Sequence, residues 1–596
     1  KEWKLTGDAD YRVTGAPVVV EDLASALTQS LLRLLVVALL VMAVVLALVF
    51  RSRLRLLPLA VALAAVALTF GAMSLLGASL TMASIAVLPV LLGLGVDYAI
   101  QYQARIEEAR PPGDAARAAR TAVPVIGTAA LATGAGFLVL LLSPVPMVRQ
   151  FGLLLVVGIA IAFVLALTAG TAALSVRPRE NALGRSLRGA GELIEGASRA
   201  IGRLGRPLGR AGGVVVTAAL RRPGRVLAIG LAIAALGWAV DSRTEVVSDI
   251  ERLVPQDLQA VEDLQALQRS TGVAGEIDVV VESADLTDPE VVRWMRDYQS
   301  GLLGRYGYST ERGCGRAELC PALSLPDLFR TDASTGDRAR IRALLDAVPP
   351  YFSSAVITSD RRTANLAFGI RLVSLERQQQ IIDDMRARLD PPPGVTARLA
   401  GLPVLAAEAN ASLSDPLRRI GTLVVGLLAV LIVLLLVNRR RGWREAWARA
   451  WVPVVPIALA TGWSALVLWL LGIPLNPLSA TLGALVLAIS TEFAVLLSAR
   501  YEAERAGMAL TPAEALRRTY RSTGAAVMAS GATAIAGFAV LALSDVAMLR
   551  DFGLVTVVDL TVSLLGVLAV LPAVLVLAER RAAVRRAPEP AAAVPA

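Results

Sequence analysis

The chain has 596 residues, 55% of them hydrophobic, and a formal net charge of +10, with a mean hydropathy of +0.62. Soluble domains reach only about 45–50% apolar residues even with glycine counted, so a purely soluble protein is excluded. There is no histidine and there are only 2 cysteines, which excludes Ser-His-Asp and Cys-His catalysis, His-ligated metals and an all-cysteine zinc or iron–sulfur centre; no metal and no cofactor is expected.

Apolar runs that can cross about 30 Å of hydrocarbon at 1.5 Å per residue mark membrane spans. Eleven are read along the chain, at 31–50, 54–76, 84–104, 121–142, 151–175, 225–240, 419–438, 450–472, 478–499, 523–543 and 552–578. The run at 225–240 is short, but Arg225 and Asp241 at its ends can snorkel outward.

The positive charge is almost all arginine, and it alternates with the spans. Arg51, Arg53 and Arg55 follow the first span, and Arg105, Arg110, Arg117 and Arg120 the third. Eleven arginines run from Arg177 to Arg225, Arg439-Arg440-Arg441 follow the seventh span, and Arg500, Arg505, Arg517, Arg518 and Arg521 the ninth. The tail after the last span adds Arg580, Arg581, Arg585 and Arg586, while the alternate loops are nearly bare, Arg149 and Arg550 excepted. By the positive-inside rule the arginine loops are cytoplasmic. Segment 241–417, with 27 Asp+Glu against 19 Arg, is then extracytoplasmic. The basic balance therefore reports topology, and no nucleic-acid partner is expected. Cys314 and Cys320 fall in the external segment, where an oxidising compartment favours a disulfide between them.

The chain also repeats itself. Ser143-Pro-Val-Pro-Met147-Val-Arg149-Gln-Phe151-Gly152 matches Ser544-Asp-Val-Ala-Met548-Leu-Arg550-Asp-Phe552-Gly553, at an offset of 401. Ala135-Gly136-Phe137 matches Ala536-Gly537-Phe538 at the same offset. Gly95-Val-Asp97-Tyr98-Ala99 lies over Ser490-Thr-Glu492-Phe493-Ala494 at an offset of 395, as does Leu76-Gly77 over Leu471-Gly472. Both copies run the same way through the membrane, which makes a parallel pseudo-repeat about the membrane normal, a transporter hallmark. The second copy is preceded by a span and about 177 external residues, the first by only about 30 residues. The expectation is a first half truncated at its N-terminus, from a protein of twelve spans and two external domains.

The external segment reads as α+β. Strands are expected at Glu276–Glu282, Ala355–Thr358, Thr363–Val373 and Val395–Leu399. Asp288-Pro289 opens a helix to about 303 as N-cap and N1 proline. Ser374 opens another to Leu389, which Pro391-Pro392-Pro393 stops. Strand–helix–strand–strand–helix–strand is the split βαβ, ferredoxin-like pattern.

Two acids sit where acids are expensive. Asp97 lies in the run Val87–Ala99 and Glu492, its repeat equivalent, in Leu478–Leu497. A carboxylate in hydrocarbon costs several kcal/mol unless protonated, paired or wet. No Lys lies inside any span and no Arg at that depth, so both acids are expected to load and lose protons near neutral pH, as a proton relay needs. Facing one another at the repeat axis, they would titrate as a coupled pair. Tyr98 can orient or relay to Asp97; Phe493 replaces it in the second copy and lacks the hydroxyl. Thr128, Thr133, Ser530 and Thr533 lie on the following spans beside glycines that permit close helix approach, and their hydroxyls can support the relay. Gln101, one turn from Asp97, is read as marking the cytoplasmic end of its span. There is no nucleophile–base pair and no phosphate loop, so an enzyme is not expected.

At Gly93-Leu-Gly95-Val-Asp97-Tyr98 and Thr491-Glu492-Phe493 the chain resembles the RND superfamily. The nearest branch is the hydrophobe/amphiphile efflux-3 exporters, related to the mycobacterial membrane protein large (MMPL) lipid transporters. The resemblance spans both five-span blocks and the external domain. It implies twelve spans, ferredoxin-like porter domains, proton-driven export of lipids or hydrophobic molecules, and an Asp-Tyr relay in each half. Asp97 and Tyr98 match that relay, Glu492 matches in charge, and Phe493 departs from it.

The domain reading is therefore a first porter remnant at 1–30, a five-span block at 31–176, an arginine-rich linker at 177–224 and a span at 225–240. An external porter domain follows at 241–417, then a second five-span block at 418–578 and a cytoplasmic tail at 579–596. The functional expectation is a multi-pass bacterial inner-membrane exporter. Its partners would be protons, a lipid or hydrophobic small-molecule substrate and the membrane, and the reading leaves room for a homo-oligomer. The rival readings are a non-transporting lipid or sterol sensor and an accessory factor for protein export, both built on the same fold.

Overall fold

The computed structural model describes residues 16–50, 54–75, 77, 82–108, 115–175, 216–241, 258–271, 273, 275–329, 336–371, 373–476, 479, 482–508 and 510–586. Residues 1–15 of the expected porter remnant and the arginine-rich stretch up to 215 lie outside the described residues. Two compact units emerge, a helical bundle within 28–246 and 415–596 and an α+β unit within 1–27 and 247–414.

In chain order the first half supplies α1 (Ala16–Val49), α2 (Leu57–Leu75), α3 (Met82–Glu108), α4 (Ala115–Leu138) and α5 (Pro146–Ser175), followed by α6 (Pro223–Asp241). The α+β unit holds α7 (Gln259–Thr271), β1 (Gly275–Ser283), α8 (Pro289–Arg305), β2 (Leu319–Pro321), α9 (Arg338–Ala347), α10 (Pro350–Val356), β3 (Thr363–Ile370), α11 (Leu375–Ala387), β4 (Val395–Ala400) and α12 (Leu402–Ser414). The second half supplies α13 (Pro416–Asn438), α14 (Trp443–Leu471), α15 (Leu482–Met508), α16 (Pro512–Arg521), α17 (Thr523–Ala539) and α18 (Ala547–Arg586).

Among the described residues, nine helices are long and apolar enough to cross a membrane. The described part of α1 adds the shorter apolar helix Arg33–Val49, and α3 carries Asp97, Gln101 and Gln103 within its run. Both are helices all the same. In α1, Leu34, Ala38, Met42 and Leu46 recur every four residues and are buried, while Val36, Leu40 and Val44 between them are exposed, the stripe of a helix packed on one side.

The repeat is visible in the packing. α2 lies on α3 and α5 as α14 lies on α15 and α18, and across the halves α3 packs on α17 as α4 packs on α15. α4 and α17 both close in 3-10 turns, Val139–Leu142 and Val540–Leu543. The Ser143 and Ser544 hydroxyls then accept from the Val145 and Val546 amides at 3.3 and 3.2 Å. Phe151 and Phe552, equivalent by the 401 offset, meet edge to face at 6.3 Å between ring centroids. Equivalent residues can touch one another only near the axis that relates them, so that axis passes between these rings.

The α+β unit has a four-stranded antiparallel sheet in the order β2-β3-β1-β4. With α8 between β1 and β2 and α11 between β3 and β4, this is the ferredoxin-like arrangement. Ile277, Val279 and Val281 alternate onto the buried face of β1 and lie opposite Phe368, Leu366 and Ala364 of β3, the period-2 signature of a strand with one covered face. Ile381, Ile382 and Met385 of α11 and Val292 and Met295 of α8 close that core. The Asp288 carboxylate caps α8 by accepting from the Glu290 amide at 3.0 Å, and Ser374 caps α11 by accepting from Arg377 at 3.3 Å.

One expected strand is overturned. Ala355–Thr358 is not a strand: Pro350–Val356 is the helix α10, and only Ile357 bridges to Ala364. Pro349-Pro350 sets a helical start, and that overrides a β-prone run of four residues. The second strand lies upstream as the three-residue β2, whose Cys320 is disulfide-bonded to Cys314. The Thr363–Val373 strand ends at Ile370.

Beside β2, Glu318 accepts from Arg377 Nε at 2.8 Å and from its terminal nitrogen at 2.7 Å, and this guanidinium holds the Glu318 carboxyl below its usual range. The stabilisation is therefore complete above the ordinary glutamate value near about 4.3 and lost as pH falls through the lower folded value. Both groups are partly exposed, so solvent screens the pair and its contribution is small. Glu318→Gln is expected to raise hydrogen exchange in β2 modestly at neutral pH and to leave it unchanged in acid.

Candidate functional site

α3 and α15 bring the two acids to one point. Glycines seat α3 closely against its neighbours. A Cβ on Gly95 would meet Ala62 of α2 at 3.2 Å, and one on Gly93 would meet Ala534 of α17 at 3.5 Å. Such small-residue seams let helix backbones close on each other. Asp97 is 3% exposed and Glu492 is fully buried.

The two carboxyl groups face each other, and Asp97 also faces the Ser530 hydroxyl of α17. Gln101 Nε2 donates to Asp97 Oδ1 at 3.2 Å. The Tyr98 hydroxyl faces Glu492 and Thr133, and its ring stands edge-on to Phe163 at 6.3 Å. Within strict distance and angle, neither Glu492 oxygen nor the Tyr98 hydroxyl completes a hydrogen bond with a protein group. No cation faces either acid among the described residues. The nearest arginines of these helices lie toward their ends, where Arg500 pairs with Glu108 and Glu504 at 2.8 and 2.7 Å.

The hydroxyls expected to support the relay divide. Ser530 faces Asp97, and Thr133 Oγ1 donates across to the Ala488 carbonyl of α15 at 3.1 Å, tying α4 to the helix that carries Glu492. Thr533 donates to Ala529 of its own helix at 2.8 Å and Thr128 to Pro124 of its own at 2.7 Å, so neither hydroxyl is spent on an acid. The repeat explains why Glu492 is left bare: Ala129 stands at the position equivalent to Ser530.

Two features of this region escaped the sequence. Gln101 does not merely end a span. It is 97% covered, holds Asp97, and at the same time lines a cavity of about 210 Å³ with Phe50, Arg105, Glu107, Glu108 and Thr523. One side chain thus stands between the Asp97 carboxyl and a cavity on the arginine-rich side of the bundle. The second is Asp559 of α18, an acid 3% exposed that accepts a hydrogen bond from Ser464 of α14. A lone acid in Val557-Val558-Asp559-Leu560 is the same signal that marked Asp97, but its repeat equivalent is Gly158, so a search for matched acids passes over it.

The family model of the MMPL family matches residues 2–210 and 330–592. The chain belongs to the MMPL family. Its curated relatives include a protein of Methanocaldococcus jannaschii, named as a membrane protein, that is 24% identical over 381 residues, 60% of this chain and 92% of that one. A second, from Streptomyces coelicolor and also named as a membrane protein, is 31% identical over 239 residues, 39% of this chain but only 32% of that protein. Together with the nine apolar helices, this makes the chain a multi-pass membrane protein of a transporter family. The family match takes in both α3 with Asp97 and α15 with Glu492.

Proposed function

We propose that this MMPL protein couples inward proton movement through Asp97 and Glu492 to the export of lipids or other hydrophobic or amphiphilic molecules across or out of a bacterial inner membrane. The observation that carries the reading is the meeting of the two acids: equivalent residues of the two halves, buried, face to face and without a cation.

Two like charges in such contact cannot both persist in a medium of low dielectric, so the pair holds at least one proton. Removing it leaves a charge with no fixed partner and forces water or a rearrangement into the space between the two acids. Each proton driven through is worth about 2.3 kcal/mol per 100 mV of membrane potential, enough to bias two helix packings that differ by a few kcal/mol. On this reading protons arrive from the extracytoplasmic side, are held by the pair with Tyr98 beside it, and leave past Gln101 into the cavity that Arg105 and Glu108 line. The arginine-rich loops are cytoplasmic and 241–417 is extracytoplasmic, placing the ferredoxin-like unit where it can meet substrate.

Reconstituted vesicles test the reading. With a fluorescent phospholipid as probe, an imposed pH gradient is expected to drive its movement, and a protonophore to stop it. Probe binding that is indifferent to the gradient would instead identify a lipid sensor.

A further inference from the structure

Asp559 belongs to a polar cluster that exists in one half only. Its carboxyl accepts from the Ser464 hydroxyl of α14. One turn along the same face of α18, Ser563 shares a hydrogen bond with Ser490 of α15. All four residues are at least nine-tenths buried. By the offsets of 395 and 401, their equivalents in the first half are Gly158 for Asp559, Thr69 for Ser464, Ala162 for Ser563 and Gly95 for Ser490.

That first-half junction is close-packed and apolar. A Cβ on Gly158 would overlap Leu91, and one on Gly95 would meet Ala62 at 3.2 Å and Ala162 at 3.6 Å. Thr69 spends its hydroxyl on Ala65 of its own helix at 2.7 Å. The residue equivalent to Leu91 is Val486, shorter by one carbon, and this relieves the position facing the larger acid. Three of the four changes from first to second half bring in an oxygen where there was none.

Among the described residues no charge compensates Asp559. α17 carries no charged residue, and α6 carries Arg225 and Asp241 only at its two ends. The charges of α14 are Arg444, Glu445 and Arg449 in its first turns. On α15, Glu492 faces α3, and Arg500, Glu502, Glu504 and Arg505 lie at the far end. On α18 itself the nearest, Asp551, is eight residues or about 12 Å away and is paired with Arg550 one residue beyond it, and Glu579, Arg580 and Arg581 are farther still.

We infer that Asp559 is a further proton-binding carboxyl of this protein, held by Ser464, and that its ionisation loosens α14 and α15 from α18 in the second half alone. In the neutral form Oδ2 carries a proton taken from water and Oδ1 accepts from Ser464, so the junction stays dry. Loss of that proton to water leaves a charge between three helices, and the junction must admit water to carry it. The first half has nothing to titrate at this place and stays packed. The two halves then move unequally when pH changes, whether or not Asp97 and Glu492 form a relay.

Infrared difference spectra of the full chain in lipid vesicles, acid against alkaline, test this in an Asp97→Asn/Glu492→Gln background. A protonated-carboxyl C=O band should remain there, disappear when Asp559→Asn is added, and move to higher frequency in Ser464→Ala, which removes the hydrogen bond to that carbonyl. Because Ser464→Ala keeps the acid, it reads the site even if Asp559→Asn fails to fold. Hydrogen exchange around Ser464 and Asp559, corrected for its intrinsic pH dependence, should rise at alkaline pH in the unsubstituted protein and stay flat in Asp559→Asn. A band insensitive to both substitutions, or a signal that follows sodium against choline rather than pH, would overturn the inference. So would exchange that does not change with pH in the unsubstituted protein.

Discussion

Asp97→Asn is expected to abolish proton-driven transport, lowering the initial rate in vesicles under an imposed pH gradient by about a hundredfold or more. The substitution preserves shape. The asparagine carbonyl can still accept from Gln101, which donates to Asp97 at 3.2 Å, and Ser530 remains beside it. What it cannot do is take up or release a proton. Glu492→Gln is expected to act in the same direction: its amide still faces the Asp97 carboxyl, which can accept from it, but it too cannot take up or release a proton. Tyr98→Phe should be far milder, a loss of less than about tenfold, because its hydroxyl completes no hydrogen bond and the other half already carries Phe493 at that place. An Asp97→Asn protein whose transport still follows the pH gradient would remove the acid pair from the mechanism. A Tyr98→Phe protein as dead as Asp97→Asn would instead make the tyrosine an obligatory carrier.

What the sequence made legible was whatever a single helix or strand declares by composition. Long apolar runs locate the spans because hydrocarbon admits little else. The alternation Ile277, Val279, Val281 and the caps Asp288 and Ser374 locate the main elements of the α+β unit. Matched motifs at fixed offsets placed Asp97 and Glu492 in corresponding positions before any geometry was known. The rest depended on contacts between distant segments. β2 has three residues, too few for any periodicity to show, and its place at the edge is fixed by pairing with β3. Gln101 reads as an end marker from its own helix. Its role is visible only with the cavity, whose wall includes Thr523 of α17 and Phe50 just past α1. By composition Thr128 and Thr533 look like Thr133 and Ser530, but on a helix the face decides, and these two turn their hydroxyls to their own backbone. Asp559 was hidden by the very rule that found its counterparts, since its half of the repeat departs from the other at that residue.

α6 crosses α14 with almost no side chain between them. A Cβ on Gly237 would overlap the Gly462 carbonyl and come within 3.2 Å of Leu466, and one on Gly462 would meet Ala234 backbone atoms at 2.5 and 2.8 Å. Two tryptophans fasten the crossing: Trp463 Nε1 donates to the Gly230 carbonyl at 2.8 Å, and Trp238 Nε1 to Thr461 Oγ1 at 3.2 Å. Gly237→Leu therefore has to push the two helix axes apart, and both indole bonds stretch with them. Overpacking alone costs about 1–3 kcal/mol, and two hydrogen bonds lost from an apolar seam add about 0.6 kcal/mol each. The expected result is a strongly reduced yield of monodisperse protein in detergent and a lowered unfolding temperature. Gly224→Leu, at a site on the same helix where a Cβ meets nothing within 4 Å, should leave both unchanged. Equal behaviour of the two variants would mean that α6 is not held by this backbone contact. Its seat would then have to come from its contacts with α18, such as Gly230 beside Val570.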